Sequence, residues 1–275
     1  MSDKIPAAQY AIIGGSSTFS IKFPDALGES DVEIVEGGMV FDTPYGESPR
    51  FKLFKLGGRP VLTCKMHGWR SGVSRADASR QVFWVFREAG VKRILTEGGV
   101  GAVNHLLNPR DIVIPTDYID NSMRKDANLG SDYLLIMRKA ICPDLHESLL
   151  QAARKIAPAR VFERGIYANT DGHHFESPAE VSVLRQWGAD IVGQSICPEV
   201  YLAREIGACY AGAYLVVNYA EGIVEDWKHD ELSSIFYGES EMVGRLLISA
   251  LRGAGDNPTC ECAGLRKPTL LKEEL

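Results

Sequence analysis

No apolar run in this chain approaches the roughly 20 residues that a membrane-crossing helix requires, so no spanning segment and no membrane partner are expected. Basic tracts are missing as well. With 36 acidic against 30 basic residues the formal net charge is −6, which argues against nucleic acid as a partner. A small anionic substrate stays compatible with that balance, because a local site can be positive on an acidic protein. The opening stretch MSDKIPAAQYAIIGG lacks a cationic lead and a long apolar segment, so a signal peptide is not expected and a cytoplasmic location is. There is no Pro/Gly/Ser-rich linker and no internal repeat, so residues 1–275 read as one domain. Hydrophobic residues at 45% and charged residues at 24% exclude disorder and fibrous folds.

Signature loops are scarce too. The chain has neither a GxGxxG dinucleotide fingerprint nor a Walker loop with its Gly-Lys-Ser/Thr. Its six cysteines include no paired CxxC knuckles, so no metal is expected. Cys64, Cys142, Cys197 and Cys209 lie among apolar residues, where a free thiol acts as a small core side chain. Cys260 and Cys262, in GDNPTCECAGLRKP, read as exposed or half-buried thiols, with a redox or disulfide role as the alternative.

What is present is an alternation of short apolar runs and amphipathic stretches. Gln9–Ile13, Val61–Cys64, Val91–Thr96, Asp111–Pro115, Arg164–Ala168, Ile191–Val192 and Cys209–Asn218 read as strands. Ala76–Ala89, His146–Ile156, Pro178–Trp187, Pro198–Gly207 and one long C-terminal segment, Asp230–Leu251, read as helices. The polar stretch Asp120–Leu134 is expected to be a loop near the active site or a subunit contact. The fold class is α/β: a single-domain mixed central sheet flanked by helices.

Two glycine clusters follow strands. Gly14-Gly15-Ser16-Ser17 offers backbone amides and hydroxyls to an anion, although such a sequence is most often an ordinary turn. The second is Gly98-Gly99-Val100-Gly101. Phe175-Glu176 can supply an aromatic face and a carboxylate acceptor to a flat heterocycle. The competing reading of Glu176 is a helix N-terminal acid complementing the dipole. His229 likewise reads either as a ligand-facing group or as an exposed histidine at a helix start.

The order of these parts, densest over 165–222, resembles the trimeric purine nucleoside phosphorylase and methylthioadenosine phosphorylase family. Ser16 falls where the family has the hydroxyl residue of GGTG, and DTPYGESP (42–49) is similar to DTPFGKPS. GQS-ICPE (193–199) matches GMS-TVPE, HHFESPAE (173–180) matches FET-AE, and AGAYLVVN ends at the position of the family Asn. The resemblance implies phosphate binding by Ser16, His67, Gly99, Val100 and Ser195. It implies base binding by Phe175, Glu176 and Asn218, and ribose binding by Gln194, Tyr167 and His229. Asn218, Glu176 and His67 would carry catalysis. Glu176 and Asn218 are the 6-oxopurine versions of positions that differ in the adenine-directed branch.

Departures fall on the phosphate side. Met66 stands where the family has Arg, so Lys65, Arg70 or Arg75 must supply the charge, and RxPxxxNYxA is replaced by SGVSRADASRQ. Gln194 replaces Met, Ala102-Val103 replaces the hydroxyl-bearing Ser-Leu, and His173-His174 replace Pro-Arg or Pro-Ser. The implied reaction is phosphorolysis of a purine nucleoside, with phosphate as co-substrate, no cofactor, and a homotrimer or dimer of trimers as the assembly. 6-Oxopurine nucleosides are favoured. 5′-Methylthioadenosine or 5′-methylthioinosine is the alternative, since GGSS, DTPYG and the CxC tail look more like that branch. A hydrolytic relative, or a nucleoside-binding protein with an altered phosphate site, is the reading from outside the family reaction.

Overall fold

The computed structural model describes residues 4–130, 132–157, 160–256 and 258–270. Strand Tyr10–Ile13, four apolar residues buried on both faces, lies at the centre of an 11-stranded mixed sheet. It pairs in parallel with Arg59–Cys64 on one side and Arg93–Ala102 on the other. Arg93–Ala102 in turn pairs in parallel with Cys209–Tyr219. Continuous burial on both faces is what parallel strands covered by helices require.

Three features differ from the sequence reading. The glycines Gly98–Gly101 form no loop after Thr96, because Arg93–Ala102 is a single ten-residue strand. Its far end is shared: Gly101 and Ala102 also take the antiparallel strand Ile191–Gly193. That strand carries Ile166–Asn169 and, beyond it, Asp117–Asp120 as a branch of the sheet. Second, strands Phe51–Leu56 and Val32–Met39 extend the other edge in antiparallel fashion. The face pattern of Val32–Met39 is almost wholly exposed, so it carries no period-two signal. Third, the C-terminal segment is two helices, His229–Gly238 and Ser240–Gly253, meeting at Glu239. Ser240 Oγ donates to the Phe236 carbonyl at 2.6 Å, a local competitor of the helical ladder, and Glu239 pairs across the fold with Arg110.

The helices start and stop where local chemistry directs. Ser74 caps Arg75–Ala89 by accepting from the Asp77 amide, and Gly90 ends it in the left-handed region at φ 79°. Val82, Phe83, Val85 and Phe86 of that helix are buried, and Phe86 meets Phe51 edge-on at 6.0 Å. Pro178–Gln186 begins with a full capping box of Ser177 and Glu180. On the opposite face Pro143–Ile156 packs against Ser240–Gly253. Among the described residues no helix is long and apolar enough to cross a membrane.

Candidate active site

Side chains that follow the C-terminal ends of the strands converge on one cavity of about 270 Å³. This is the place where sheets of this kind put ligands. Tyr10–Ile13 delivers Ser16, Arg59–Cys64 delivers Met66 and His67, and Ile191–Gly193 delivers Gln194 and Ser195. The distal halves of Arg93–Ala102 and Cys209–Tyr219 supply Gly99, Val100 and Asn218.

The Ser16 loop is shaped by a carboxylate that the sequence reading missed. Glu97 is fully buried, and its Oε1 accepts from the Gly15 amide at 2.5 Å and the Thr18 amide at 3.0 Å. Its Oε2 takes the Ser17 amide at 3.2 Å. These amides are therefore spoken for by Glu97, and a bound anion is left the Ser16 hydroxyl rather than a ring of loop amides. Gly15 is required by closeness: a Cβ there would lie 2.2 Å from the Glu97 carbonyl oxygen. Ser16 Oγ accepts from the Gly99 amide at 3.0 Å, which leaves its own proton free to donate into the cavity.

His67 sits in a left-handed turn, with φ 47° at Met66, 55° at His67 and 75° at Gly68. Its Nδ1 lies 2.7 Å from Glu199 Oε1, and Tyr210 O–H donates to Glu199 Oε2 at 2.9 Å. The carboxylate fixes the imidazole with Nδ1–H towards it, leaving Nε2 as the nitrogen for a ligand. Nε2 can accept from a protonated phosphate oxygen or, as imidazolium, donate to a bare one.

Ser195 precedes the first turn of Ile196–Glu205 and is backed by Tyr167. The Ser195 amide donates to Tyr167 Oη at 3.3 Å, and the two hydroxyls are 3.2 Å apart. Burial pushes the Tyr167 phenol up to about 12, so it keeps its proton. With the phenol protonated, either hydroxyl can donate to the other, and in the arrangement with Tyr167 as donor the serine hydroxyl is free to donate into the cavity. Tyr167 itself is wholly buried behind the wall and does not line the space.

At the other end stand Phe175, Glu176 and Asn218. Phe175 is 48% exposed and its ring meets Trp227 edge-on at 5.1 Å, leaving a free face for a flat ligand. Glu176 stands one residue before the N-cap Ser177, near the positive end of the helix dipole, and takes no part in the capping box of Ser177 and Glu180. Its Oε1 accepts from Thr170 O–H at 2.5 Å, which leaves Oε2 for a ligand. Asn218 follows a bulge: Val216 is opposite Val100 while Asn218 is opposite the next residue, Gly101. The extra residue re-aims the strand and lets Val217 and Asn218 both reach the cavity. The Asn218 amide spends one N–H on the Tyr219 carbonyl at 2.7 Å, keeping the second N–H and its oxygen.

Of the three basic residues that could stand in for an Arg at Met66, Arg75 alone lines the cavity. Its guanidinium stacks 4.0 Å over Trp69 and donates to Gln194 Oε1 at 2.9 Å and the Asp171 carbonyl at 2.6 Å. Burial and the neighbouring Arg124 draw its pKa below the usual guanidinium value. Lys65 is occupied with the carbonyls of Phe19 and Ile21, and Arg70 with those of Gly68 and Glu47. Arg124, from the polar stretch 120–134, is buried behind Gln194 and donates to its carbonyl at 2.9 Å.

His229 lies apart. Its side chain is 82% exposed at the start of its helix, and that helix instead sends Phe236 into the cavity. His173 and His174 are exposed and do not line it either. The sequence reading also missed Trp69 and Phe236. An aromatic directly after His67-Gly68, and another two helical turns beyond His229, were the available signals.

Fold and cavity define an α/β protein in which one pocket gathers serine hydroxyls and an imidazole together with an aromatic ring, a carboxylate and an amide. The chain belongs to the phosphorylase superfamily, whose family model matches residues 9–252. A probable S-methyl-5′-thioinosine phosphorylase of Methanopyrus kandleri is 38% identical over 185 residues, covering 66% of this chain and 72% of that protein. A probable 6-oxopurine nucleoside phosphorylase of Thermococcus kodakarensis is 31% identical over 264 residues, covering 92% of this chain and 95% of its own. Among solved structures, a methylthioadenosine phosphorylase from an antarctic soil metagenomic library matches with a TM-score of 0.77 at 25% identity, over 90% of this chain and 86% of that one.

Proposed function

We propose that this enzyme cleaves the N-glycosidic bond of a 6-oxopurine nucleoside with phosphate, giving the free purine and a ribose 1-phosphate. The observation that carries the reading is that Glu176 and Asn218 open onto the same cavity as Ser16, His67 and Ser195. Breaking the bond leaves an oxocarbenium-like C1′ and drives electrons into the purine. Glu176 accepts from N1–H, and the free N–H of Asn218 donates to N7 as charge builds there. Phosphate, held by the Ser16 and Ser195 hydroxyls and His67 Nε2, attacks C1′ from the opposite face. Catalysis in this reading is positioning plus electrostatic stabilisation, with no side-chain nucleophile and no cofactor. A cytoplasmic homotrimer is part of the same proposal and rests on the family resemblance.

A second reading concerns the 5′ group alone. Met66 and Phe236 line the cavity while His229 stays outside it, which favours an apolar 5′-methylthio substituent over a hydroxyl. The test is a panel of inosine, guanosine, adenosine, methylthioadenosine and methylthioinosine, each with and without phosphate, following free base. Phosphate-dependent release of hypoxanthine or guanine supports the proposal, and the ratio of inosine to methylthioinosine decides the 5′ group. Release of adenine alone overturns the base assignment. Release without phosphate identifies a hydrolase, and binding without release identifies a sensor.

A further inference from the structure

We propose that Cys142, Cys209, Cys260 and Cys262 form a four-thiolate site for a zinc-class divalent ion, which staples the C-terminal segment to the domain. The four Sγ atoms all lie within 4.8 Å of one another, and those of Cys209 and Cys260 are 3.4 Å apart. Around a zinc ion with bonds of about 2.3 Å, tetrahedral sulfur atoms stand roughly 3.8 Å apart, so little movement closes the shell. The ligands come from three elements far apart in sequence, which is why the CxC pair alone gave no metal signal.

The scaffold brings them together without help from the ion. Cys142 caps helix Pro143–Ile156, and its amide donates to the Tyr210 carbonyl at 2.8 Å, one residue from Cys209 at the head of its strand. The tail is delivered by Asp144, whose carboxylate accepts from the Thr259 amide at 2.7 Å and the Cys260 amide at 3.1 Å. Arg204 donates to the Cys262 carbonyl at 3.0 Å. Four thiolates around a divalent ion keep a net negative charge. Arg93, the cross-strand neighbour of Cys209, is 4% exposed and its Nη2 has no hydrogen-bond partner among the described residues. Its charge also acts on the nearby carboxylates of Asp144 and Asp256, so it adds a cation on the strand next to Cys209 without being left uncompensated. Four protein sulfurs close the coordination shell, so the role is structural, and none of the four lines the catalytic cavity. Binding would release the thiol protons and add to stability.

The experiment uses the full chain purified under reducing conditions. Elemental analysis should give one zinc per chain. Cobalt titration of the metal-free protein should saturate at one equivalent, with thiolate-to-cobalt charge transfer and the strong d–d bands of a tetrahedral sulfur site. Cys260→Ser combined with Cys262→Ser should lose those bands, and a chelator should lower the Tm of the parent but not of the double variant. Protein without metal that shows no cobalt–thiolate bands overturns the proposal, whether its thiols titrate as free or its mass deficit matches disulfides. The cobalt spectrum of the unmutated protein decides even if the variant does not fold, and it is independent of which nucleoside is cleaved.

Discussion

Glu199 holds the imidazole of His67 by a 2.7 Å contact to Nδ1, with both side chains removed from solvent. The carboxylate is a positioning group: Tyr210 occupies its second oxygen, so its effect on a ligand passes through His67. His67→Ala should lower kcat/KM for phosphate by about 10²-fold, the usual cost of one preorganised partner of transition-state charge. Glu199→Gln should cost about tenfold, or ~1.4 kcal/mol, by loosening the ring rather than removing it. Initial rates against phosphate at saturating nucleoside check both. An unchanged phosphate dependence in His67→Ala would take His67 out of the anion site.

Glu97 organises the Ser16 loop from beneath. It accepts from three loop amides and from Thr18 O–H at 2.8 Å with no exposure to water. Glu97→Ala strands those donors, and hydrogen bonds to a charged group are worth about 1.5–3 kcal/mol each, so a loss of at least ~3 kcal/mol is expected in urea unfolding. Gly15→Ala should do comparable harm by contact with the Glu97 backbone, and should raise the KM for phosphate in whatever protein folds. Wild-type stability in Glu97→Ala would show that water replaces the carboxylate at no cost.

Base selection should respond to two single-atom changes. Glu176→Gln replaces an acceptor of N1–H by an amide, and the remaining Thr170 contact is also weakened. A fall of about 10²-fold in kcat/KM for inosine is expected, since an unpaired buried polar group discriminates strongly. Asn218→Asp should shift the ratio of adenine-type to hypoxanthine-type nucleosides towards the 6-amino base by a similar factor. Competition between inosine and adenosine in one vessel measures the ratio directly. An unchanged ratio would show that neither residue reads the base.

How far the sequence reveals this site follows from what local pattern can encode. Strands that run into Gly14-Gly15 and the apolar run to Asn218 were legible because burial on both faces leaves a continuous hydrophobic record. Glu176 reads either way from the sequence alone, and the fold adds that it is buried on the cavity wall with Thr170 as a partner. Glu97 went unnoticed and Glu199 was seen only as the end of GQS-ICPE, because their partners are distant: Glu97 meets Gly15 across 82 residues and Glu199 meets His67 across 132. A glutamate at such a place looks like any surface glutamate until the fold closes. The bulge before Asn218 and the break at Glu239 are similarly set by tertiary partners.

Of the three cations that could stand in for an Arg at Met66, Arg75 alone lines the cavity, and its surroundings define a test. It stacks on Trp69, binds Gln194 Oε1, and lies on the cavity wall beside Met66 and His67. A guanidinium in that position can meet phosphate with a planar fork, which an ammonium cannot. Arg75→Lys should therefore raise the KM for phosphate roughly tenfold, because the bidentate geometry and the stacking are lost while the charge stays. Arg75→Met should raise it by about 10²-fold, as expected when a charge-assisted partner is removed. If Arg75 instead serves only to orient Gln194 under the ribose, both variants will raise the KM for nucleoside and leave the phosphate dependence intact. Gln194→Met separates the two roles again: it frees Arg75 from its side-chain partner, so the KM for phosphate should hold or fall while that for nucleoside rises. A matrix of initial rates over both substrates for the three variants reads out all of these outcomes at once.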